Sequence, residues 1–354
     1  MSTDEFGIWR DEVREAVSET VIDFVQTRCA EGEIPAPDVF AEVLLDFFIG
    51  GKCLRSTFMY LGWLSGAQPE LAAMRASASL ELLHAFALLQ DDVMDRSPRR
   101  RGRPSAHVSL ANWHRKRRMR GGSERFGESA AILLGDLCLV WSEQLLRESG
   151  CDAVDLARAW PRYDAMRTEL AGGQLAELIH DGQGSPPLAA VRAVARRKSG
   201  NYTVRRPLEL GAALADCPHE TIAALGDYGG SVGEAFQLRD DLLGIFGTPS
   251  ITGKSVSGDL TEHKATSVIV AAHQLARGDQ RRQLAELMAT GDLDEIDIDR
   301  WRKLIVVTGA VELIENMIDD HLARALRVLQ AAHVDDWVCA ALTDMAAVCT
   351  RRSA

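Results

Sequence analysis

The chain has 354 residues, and its 40 Lys and Arg stand against 51 Asp and Glu, which gives a formal net charge of −11. Hydrophobic residues make up 46% of it, with 29 Gly and 11 Pro. This composition is typical of a globular protein with a sizeable core and excludes a disordered or fibrous chain. The acidic balance also disfavours nucleic acid as a partner.

Neither a membrane nor an oxidising compartment is indicated. No stretch reaches the roughly 18 uncharged apolar residues of a membrane span, and the start MSTDEFGIWRDE is acidic where a signal peptide is basic. We therefore expect a cytoplasmic protein. The seven cysteines form no CxxC pair and are odd in number, which disfavours a disulfide framework or a zinc site. We expect reduced thiols, mostly packed in the core.

Helical periodicity dominates the chain, and strand patterns are nearly absent. In chain order we predict helices at 9–28, 38–48, 71–89, 125–149, 152–180, 187–214, 219–247, 262–276, 281–290, 309–330 and 335–350. The segment 76–90 is apolar on more than one stripe and should lie inside a bundle. No linker or repeat interrupts the pattern. We predict an all-α fold with one domain over 1–354, with 1–8 and 351–354 as flexible ends.

The segment LLQDDVMDRSPRRRGRP places three aspartates at the end of an otherwise apolar helix. Asp91 and Asp95 are four residues apart and share one face, whereas Asp92 lies about 100° away. Because like charges at a helix C-terminus are destabilising, we expect a cation to compensate them. Two carboxylates on one face suit Mg²⁺, which completes its coordination with water and substrate phosphate.

A second segment, FQLRDDLLGIFG, places Asp240 and Asp241 at the end of another largely apolar helix. Gly229, Gly230 and Gly233 precede them and lower helix stability, so we expect these glycines to permit close helix packing or a close ligand. For either aspartate pair alone, a solvated helix end or a salt bridge is the simpler interpretation. Two such pairs, each after a helix of buried type, favour metal binding.

Basic residues that could approach a phosphate occur in four places, each beside Gly or at a helix end. Arg offers planar bidentate donors and Lys a point charge, and both are common partners of phosphate oxygens. The spacing of Gly50, Gly51 and Lys52 is not that of a P-loop. The candidates are Lys52, Arg55, Arg100, Arg101, Lys198 with the adjacent Ser199, Lys254 and Lys264.

Two further features have a simpler interpretation beside a functional one. The basic run HRKRRMR (114–120) could indicate RNA binding or nuclear targeting, but we interpret it as a surface insertion between helices. His84 lies about two turns before Asp91, on nearly the same helix face. It could set a polar ring above the carboxylates, or it could be a core histidine bonded to a backbone carbonyl.

Together these motifs resemble the trans-isoprenyl diphosphate synthases, also called polyprenyl synthetases, of the short-chain, geranylgeranyl type. The likeness rests on GGKxxR, on Asp-Asp-x-x-Asp followed five residues later by Arg-Arg-Gly, on Lys-Ser, on Phe-Gln-x-x-Asp-Asp and on a later Gly-Lys. It covers residues 45–270 and includes FGESAAILLGDLCL at 126–139. Several motifs in the right order carry the resemblance.

The resemblance implies an all-α isoprenoid synthase fold around a deep central cavity, usually in a homodimer. It implies a prenyltransferase that condenses isopentenyl diphosphate with an allylic diphosphate, with Mg²⁺ as cofactor. The implied metal ligands are Asp91, Asp95 and Asp240, with Asp92 and Asp241 as further candidates. The residues implied for the allylic diphosphate are Arg100, Lys198, Ser199, Gln237, Lys254 and Lys264. Those implied for isopentenyl diphosphate are Lys52, Arg55, His84 and Arg101.

The sequence departs from the family pattern at several positions. The second Asp-rich motif has Gly244 where many members have a third Asp, but Asp240 keeps its position, so activity is expected to survive. The other departures are Gln90 for a common His, Cys53 for a common Arg, Ser199 for a common Thr, and Ser257 and His263 for two common glycines.

Product length should depend on the side chain that blocks an apolar tunnel below Asp91. Phe86 lies five residues upstream, with the small Ala87 beside it, although Phe86 could equally be a core residue. In the family, an aromatic residue here without an insertion in the motif resembles the geranylgeranyl (C20) type, with farnesyl (C15) next.

Two other functions are compatible with an Asp-rich helical bundle. A class I terpene cyclase needs no second diphosphate pocket, so the GGKxxR and Arg-Arg-Gly motifs disfavour it. A non-catalytic, synthase-like partner subunit is disfavoured by the complete first Asp-rich motif, although Gly244 leaves it open.

Overall fold

The structure is a computed structural model that describes residues 3–48, 50–181, 186–247, 258–261, 264–291 and 293–351. These residues are almost entirely helical, which confirms the all-α prediction. They divide into two compact units: one has the residues up to Ala159 with Leu210–Cys217, and the other has Trp160–Glu209 with the residues from Pro218 onward. The single domain stays a prediction.

The first unit is built around one buried helix. Its helices are α1 (Thr3–Ala30), α2 (Pro37–Phe48), α3 (Leu54–Leu64), α4 (Leu71–Met94), α5 (Ala106–Lys116) and α6 (Ser123–Arg147). Helix α4 packs against α1, α3 and α6, and every residue from Ala76 to Leu83 is buried. The interior position predicted from its apolar pattern is therefore confirmed. Residues 3–8, expected to be a flexible end, are the first turns of α1, where Phe6 is buried.

A two-stranded hairpin follows α4. Strand β1 (Arg99–Arg100) pairs antiparallel with β2 (Arg103–Pro104). The two turn residues, Arg101 and Gly102, have positive φ angles of 49° and 76°, as a tight type I′ turn requires. Two-residue strands have no alternating pattern, so the sequence did not indicate them. The hairpin turns the basic run back toward the end of α4.

The other helices follow in chain order. They are α7 (Ala153–Asp181), α8 (Leu188–Ala195), α9 (Arg206–Leu214), α10 (His219–Phe246), α11 (Gly258–Thr261), α12 (Ser267–Leu275), α13 (Asp279–Ala289), α14 (Glu295–Val307), α15 (Ala310–Ala331) and α16 (Asp336–Thr350). Helices α7 and α9 have residues in both units. In the second unit, α10 and α15 pack together, and the core includes the fully buried Trp301 of α14.

The segment predicted as one helix at 187–214 contains a π-helical stretch, Arg196–Arg205, between α8 and α9. Segments of π-helix are rare and frequent at functional sites. A glycine of α7 allows close packing here, because a Cβ on Gly173 would lie 2.6 Å from the backbone nitrogen of Lys198. The backbone that carries Lys198 is therefore held tightly against α7.

Glycines of α10 pack against the same π-helical stretch. A Cβ on Gly233 would lie 2.4 Å from the carbonyl oxygen of Gly200, and one on Gly229 would lie 2.7 Å from the Cα of Arg205. The prediction that these glycines permit close helix packing is confirmed. It does not extend to Gly230, whose added Cβ would meet only the Cδ of Arg205 at 3.9 Å.

Four helices, α3, α5, α11 and α14, were not predicted. Helix α5 corrects the interpretation of the basic run at 114–120, because His114–Lys116 form its last turn and His114 is buried. Residues 115–120 are exposed, as a surface segment should be.

Helices α4 and α6 are long and apolar enough to cross a membrane by length and composition, with mean hydropathies of 1.2 and 1.3 over 18 residues. Of these 18-residue stretches of α4 and α6, 56% and 50% are buried inside the protein, and core helices of globular proteins meet the same criteria.

Most cysteines are in the core, as predicted; the buried ones are Cys29, Cys53, Cys138, Cys217 and Cys349.

Candidate active site

The first Asp-rich segment ends helix α4. Asp91 and Asp92 belong to its last turn, and Asp95 is the C-cap. In the structure, the cation that compensates the negative charges at the end of α4 is Arg100 of β1. Its Nε and Nη2 donate to the Asp92 carboxylate at 2.7–2.9 Å, and Nη2 also donates to Asp91 at 3.3 Å. Several donors on one carboxylate make this a strong, charge-assisted contact.

The two adjacent aspartates have different environments. The side chain of Asp92 is 1% exposed, and that of Asp91 is 22% exposed. Burial raises the pKa of Asp92, and the hydrogen bonds from Arg100 oppose this. Burial acts to lower the pKa of Arg100, but the bonds to Asp92 outweigh it and raise the pKa. Asp92 is thus an internal anchor for Arg100, and Asp91 and Asp95 are the more accessible carboxylates.

A basic cluster in the same unit contains three of the residues predicted to hold isopentenyl diphosphate. Burial lowers the pKa of His84 well below its usual value, and the charges of Arg55 and Arg101 lower it further. His84 is therefore neutral at pH 7 and can offer a hydrogen bond but no charge. The fourth predicted residue, Lys52, is exposed just before α3.

Glu81 belongs to this cluster and was missed in the sequence. It is 9% exposed, and it accepts a hydrogen bond from Ser56 Oγ at 2.9 Å. Burial raises its pKa, whereas the charges of Arg55 and Arg101 lower it. The available signal was an acidic residue within a helix that is apolar on all sides. Burial also raises the pKa of the neighbouring Cys53 to about 12, with Glu81 adding to the effect, so this thiol stays protonated.

The second Asp-rich segment lies near the end of α10. Asp241 is 6% exposed and accepts hydrogen bonds from Gln237 Nε2 and from the backbone nitrogen of Ser267, both at 2.9 Å. Ser267 begins α12, so Asp241 ties α10 to a helix N-terminus, where a carboxylate is favourable. The preceding Asp240 is half-buried. Gln237, predicted to hold diphosphate, is engaged by Asp241 in this structure.

The remaining candidates for diphosphate binding lie in other parts of the chain. Lys198, in the π-helical stretch, donates from Nζ to Glu177 of α7. The sequence analysis missed Glu177, which lies four residues after the Gly173 that packs on the Lys198 backbone. Ser199 and Lys264 are half-buried. Lys254, Ser257 and His263 lie outside the described residues.

The carboxylates fit Mg²⁺ held jointly with a substrate. Within the part of the chain that the structure describes, no group of three or more His, Cys, Asp or Glu side chains could hold a metal ion by itself. Mg²⁺ commonly takes one or two carboxylates and obtains its other oxygens from water and phosphate. The carboxylates of Asp91, Asp95 and Asp240 are partly accessible, and carboxylate oxygen is the kind of hard donor that Mg²⁺ prefers.

The candidate residues for product length and one departure from the family pattern also lie on α4. Phe86 and Ala87 are half-buried, so Phe86 is not a fully buried core residue.

Gln90 packs on α6, where its Nε2 donates to the carbonyl oxygen of Ile132 at 3.3 Å and to Asp136 Oδ1 at 3.2 Å. Gln90 therefore has a packing role between α4 and α6.

Comparison with known proteins identifies the family. The profile of the Polyprenyl synthetase family matches residues 37–305, so the chain belongs to this family. It is a prenyl diphosphate synthase, a prenyltransferase with the isoprenoid synthase fold, as the sequence motifs predicted. The family joins isopentenyl diphosphate to allylic diphosphates and uses a divalent metal.

Three related proteins illustrate the similarity. The geranylgeranyl diphosphate synthase of Mycobacterium tuberculosis is 32% identical over 285 residues, which are 80% of this chain and 75% of that protein. The geranylfarnesyl diphosphate synthase of Aeropyrum pernix is 30% identical over 285 residues, 79% of this chain and 83% of that protein. The crystal structure of geranylgeranyl pyrophosphate synthase from Corynebacterium glutamicum, complexed with isoprenyl diphosphate and magnesium, has a TM-score of 0.89 and 34% identity, with 100% of both chains covered.

Proposed function

We propose that the chain condenses isopentenyl diphosphate with an allylic diphosphate in a Mg²⁺-dependent reaction whose main product is geranylgeranyl diphosphate (C20). One observation carries the assignment of the reaction. In each Asp-rich segment, the first aspartate of the Asp-Asp pair is partly accessible and the second is a buried anchor. Asp91, Asp95 and Asp240 are therefore the proposed metal ligands. The similarity to a synthase complexed with magnesium and isoprenyl diphosphate supports the proposal.

The proposed chemistry requires stabilisation of negative charge. Heterolysis of an allylic C–O bond gives a carbocation and a diphosphate leaving group, and the positioned donors of the protein act on that diphosphate. When bound, Mg²⁺ supplies further neutralisation of the leaving group. Arg100 and Lys198 are oriented beforehand by the carboxylates of Asp92 and Glu177. The same diphosphate is assigned to Ser199, Gln237, Lys254 and Lys264.

The second substrate is the nucleophile. We assign the diphosphate of isopentenyl diphosphate to Lys52, Arg55 and Arg101, and a neutral hydrogen bond to His84. The double bond of this substrate attacks the carbocation, a new C–C bond forms, and the released diphosphate takes the proton that is lost. Glu81 offsets part of the positive charge of Arg55 and Arg101 before substrate binds.

Purified protein with isopentenyl diphosphate and each allylic starter in turn tests the reaction. We expect prenyl diphosphates with C20 as the main product, and no turnover after EDTA removes divalent metal. Free cyclic hydrocarbon would indicate a terpene cyclase instead. Inactivity of the chain alone, with turnover restored by a related synthase, would indicate a partner subunit.

Phe86→Ala tests the assignment of product length. Because Phe86 is half-buried five residues before Asp91, truncating it should lengthen an apolar tunnel and shift products beyond C20. Chromatography of the dephosphorylated products measures the shift. Leu89→Ala is a matched control, since Leu89 is fully buried on the same helix and its loss should affect stability more than product length. An unchanged product distribution in Phe86→Ala would contradict the assignment.

We also propose a cytoplasmic homodimer of one domain per chain. An exposed apolar stripe on α6, formed by Ile132, Leu133 and Val140, supports the dimer because such a patch typically marks an interaction surface. Light scattering should give twice the chain mass of 38.7 kDa. A monomeric mass at micromolar concentration would contradict it.

A further inference from the structure

The second unit contains a cavity of about 450 Å³ that none of the proposed substrate contacts uses. It lies among α8, the first residue of the π-helical stretch, α10 and α15. Its charged lining consists of Arg192, Arg196, Glu234, Asp320, His321 and Arg324. This volume is within the range of about 300–1,000 Å³ that is usual for small-molecule sites.

One carboxylate, that of Glu234, contacts most of the basic side chains in this cavity. Glu234 Oε2 accepts a hydrogen bond from Arg192 Nη2 at 2.8 Å and lies 3.5 Å from His321 Nε2. Glu234 Oε1 lies 3.6 Å from Arg196 Nη1. Arg192 Nη2 is also 3.0 Å from His321 Nε2, so these groups form a connected network. A single carboxylate carries one negative charge and cannot neutralise two guanidinium groups.

The charge balance of the cavity is positive. Burial lowers the pKa of His321, and the charges of Arg192 and Arg324 lower it further against the opposing Glu234 and Asp320. With His321 neutral, three guanidinium groups face two carboxylates, so the cavity carries a surplus of positive charge within a chain of net charge −11. Such a local surplus attracts anions.

Hydrogen-bond donors are available for an anion. The Nε of Arg192 is buried and has no hydrogen-bond partner among the residues that the structure describes. Arg324 is exposed at the cavity and forms no ion pair within that same part of the chain. Buried donors usually have partners, and the planar guanidinium fork matches phosphoryl oxygens in a bidentate way.

The cavity is separate from the Asp-rich segment of the same unit. Glu234 and Asp240 are six residues apart on α10, which places them about 120° apart around the helix axis and about 9 Å apart along it. We propose that this cavity binds a small anion that carries phosphoryl groups, at a site distinct from the two substrate diphosphate sites. Since α8 continues into the stretch with Lys198 and α10 carries Asp240, the occupied cavity borders both elements.

Calorimetry on the full chain tests this proposal without catalysis. The probe is inorganic tripolyphosphate in EDTA, which removes the divalent metal that the Asp-rich segments need. We expect one molecule bound per chain, and binding weakened by about tenfold or more in Arg324→Glu and in Arg192→Gln, as loss of a charged hydrogen bond implies. Arg327→Glu is the matched control, because Arg327 is exposed one turn later on the same helix and does not line the cavity.

Two further arms decide the remaining outcomes. Lys198→Ala and Arg101→Gln, which each remove a proposed contact of one substrate diphosphate, should leave tripolyphosphate binding unchanged. Retention of binding in Arg324→Glu, whether binding is lost in Lys198→Ala or in Arg101→Gln, would place the probe at a substrate site and overturn the proposal. Equal loss in Arg327→Glu, or no binding to the natural chain, would also overturn it. Equal binding of citrate with the same dependence on Arg324 would exclude selectivity for phosphoryl groups. Because Arg324 is exposed, its variant should keep the natural melting temperature, and the test does not depend on turnover.

Discussion

Each Asp-rich segment contains an Asp-Asp pair with one buried member, but the two segments stabilise that buried carboxylate in different ways. In the first unit, the buried aspartate of the pair, Asp92, is matched by the guanidinium of Arg100. In the second unit, the buried Asp241 is matched by two neutral donors, the amide of Gln237 and the backbone nitrogen of Ser267. A buried carboxylate needs either an opposite charge or several hydrogen bonds. The first segment uses the opposite charge, and the second uses hydrogen bonds.

In each pair, an accessible aspartate and a structural aspartate are adjacent in the sequence. The preceding residue of each pair, Asp91 or Asp240, is only half-buried. In both helices the adjacent anchor fixes the helix end from which the accessible carboxylate projects. A substitution should therefore affect chemistry at one position and stability at the next.

The largest effect is expected on turnover. Asp91→Asn and Asp240→Asn should each lower kcat by at least about 10²-fold, because each removes a proposed ligand for the ion that neutralises the leaving diphosphate. Asp227→Asn, exposed on α10, is the matched control and should keep natural turnover. Steady-state rates across a Mg²⁺ titration measure this, with melting curves to verify folding. Natural rates in either variant would rule out that residue as a ligand.

The second effect concerns stability and distinguishes the two anchors. Asp92→Ala leaves the largely buried Arg100 without its main partner, and loss of one member of a buried ion pair costs about 3–5 kcal/mol. Asp241→Ala leaves two neutral donors unpaired, which costs about 1–3 kcal/mol. Urea denaturation gives both free energies of unfolding. A larger loss in Asp241→Ala than in Asp92→Ala would contradict this account of the two segments.

The smallest effect concerns the helix that carries the second segment. A Cβ at Gly233 would lie 2.4 Å from a backbone oxygen, so Gly233→Ala should displace α10 and cost about 1–3 kcal/mol. Gly230→Ala is the matched control: its Cβ has space, and the gain in helix propensity should stabilise the protein by up to about 1 kcal/mol. Thermal unfolding of both variants measures the contrast, and equal shifts would show that the close approach has no energetic importance.

Many residues of the candidate site could be named from the sequence because its motifs are local. Asp91 and Asp95 were proposed as ligands from their spacing within one helix, and Asp240, Arg55, His84 and Arg101 were proposed from short motifs that resemble the family. Glu81 and Glu177 were missed because an acidic residue alone in a helix has no spacing signal, and each acquires its role only through arginine or lysine side chains on other elements.

By itself, the sequence determined the all-α fold, most helices and the polyprenyl synthetase family, because helical periodicity and motif order are properties of neighbouring residues. Only the tertiary structure decided which aspartate of each pair is buried, that the hairpin returns Arg100 to Asp92, and that α8, α10 and α15 enclose a positively charged cavity. These features depend on packing between elements that are up to about 130 positions apart, such as Arg192 and His321. Burial and charge pairing are set by such long-range contacts, which no local pattern records.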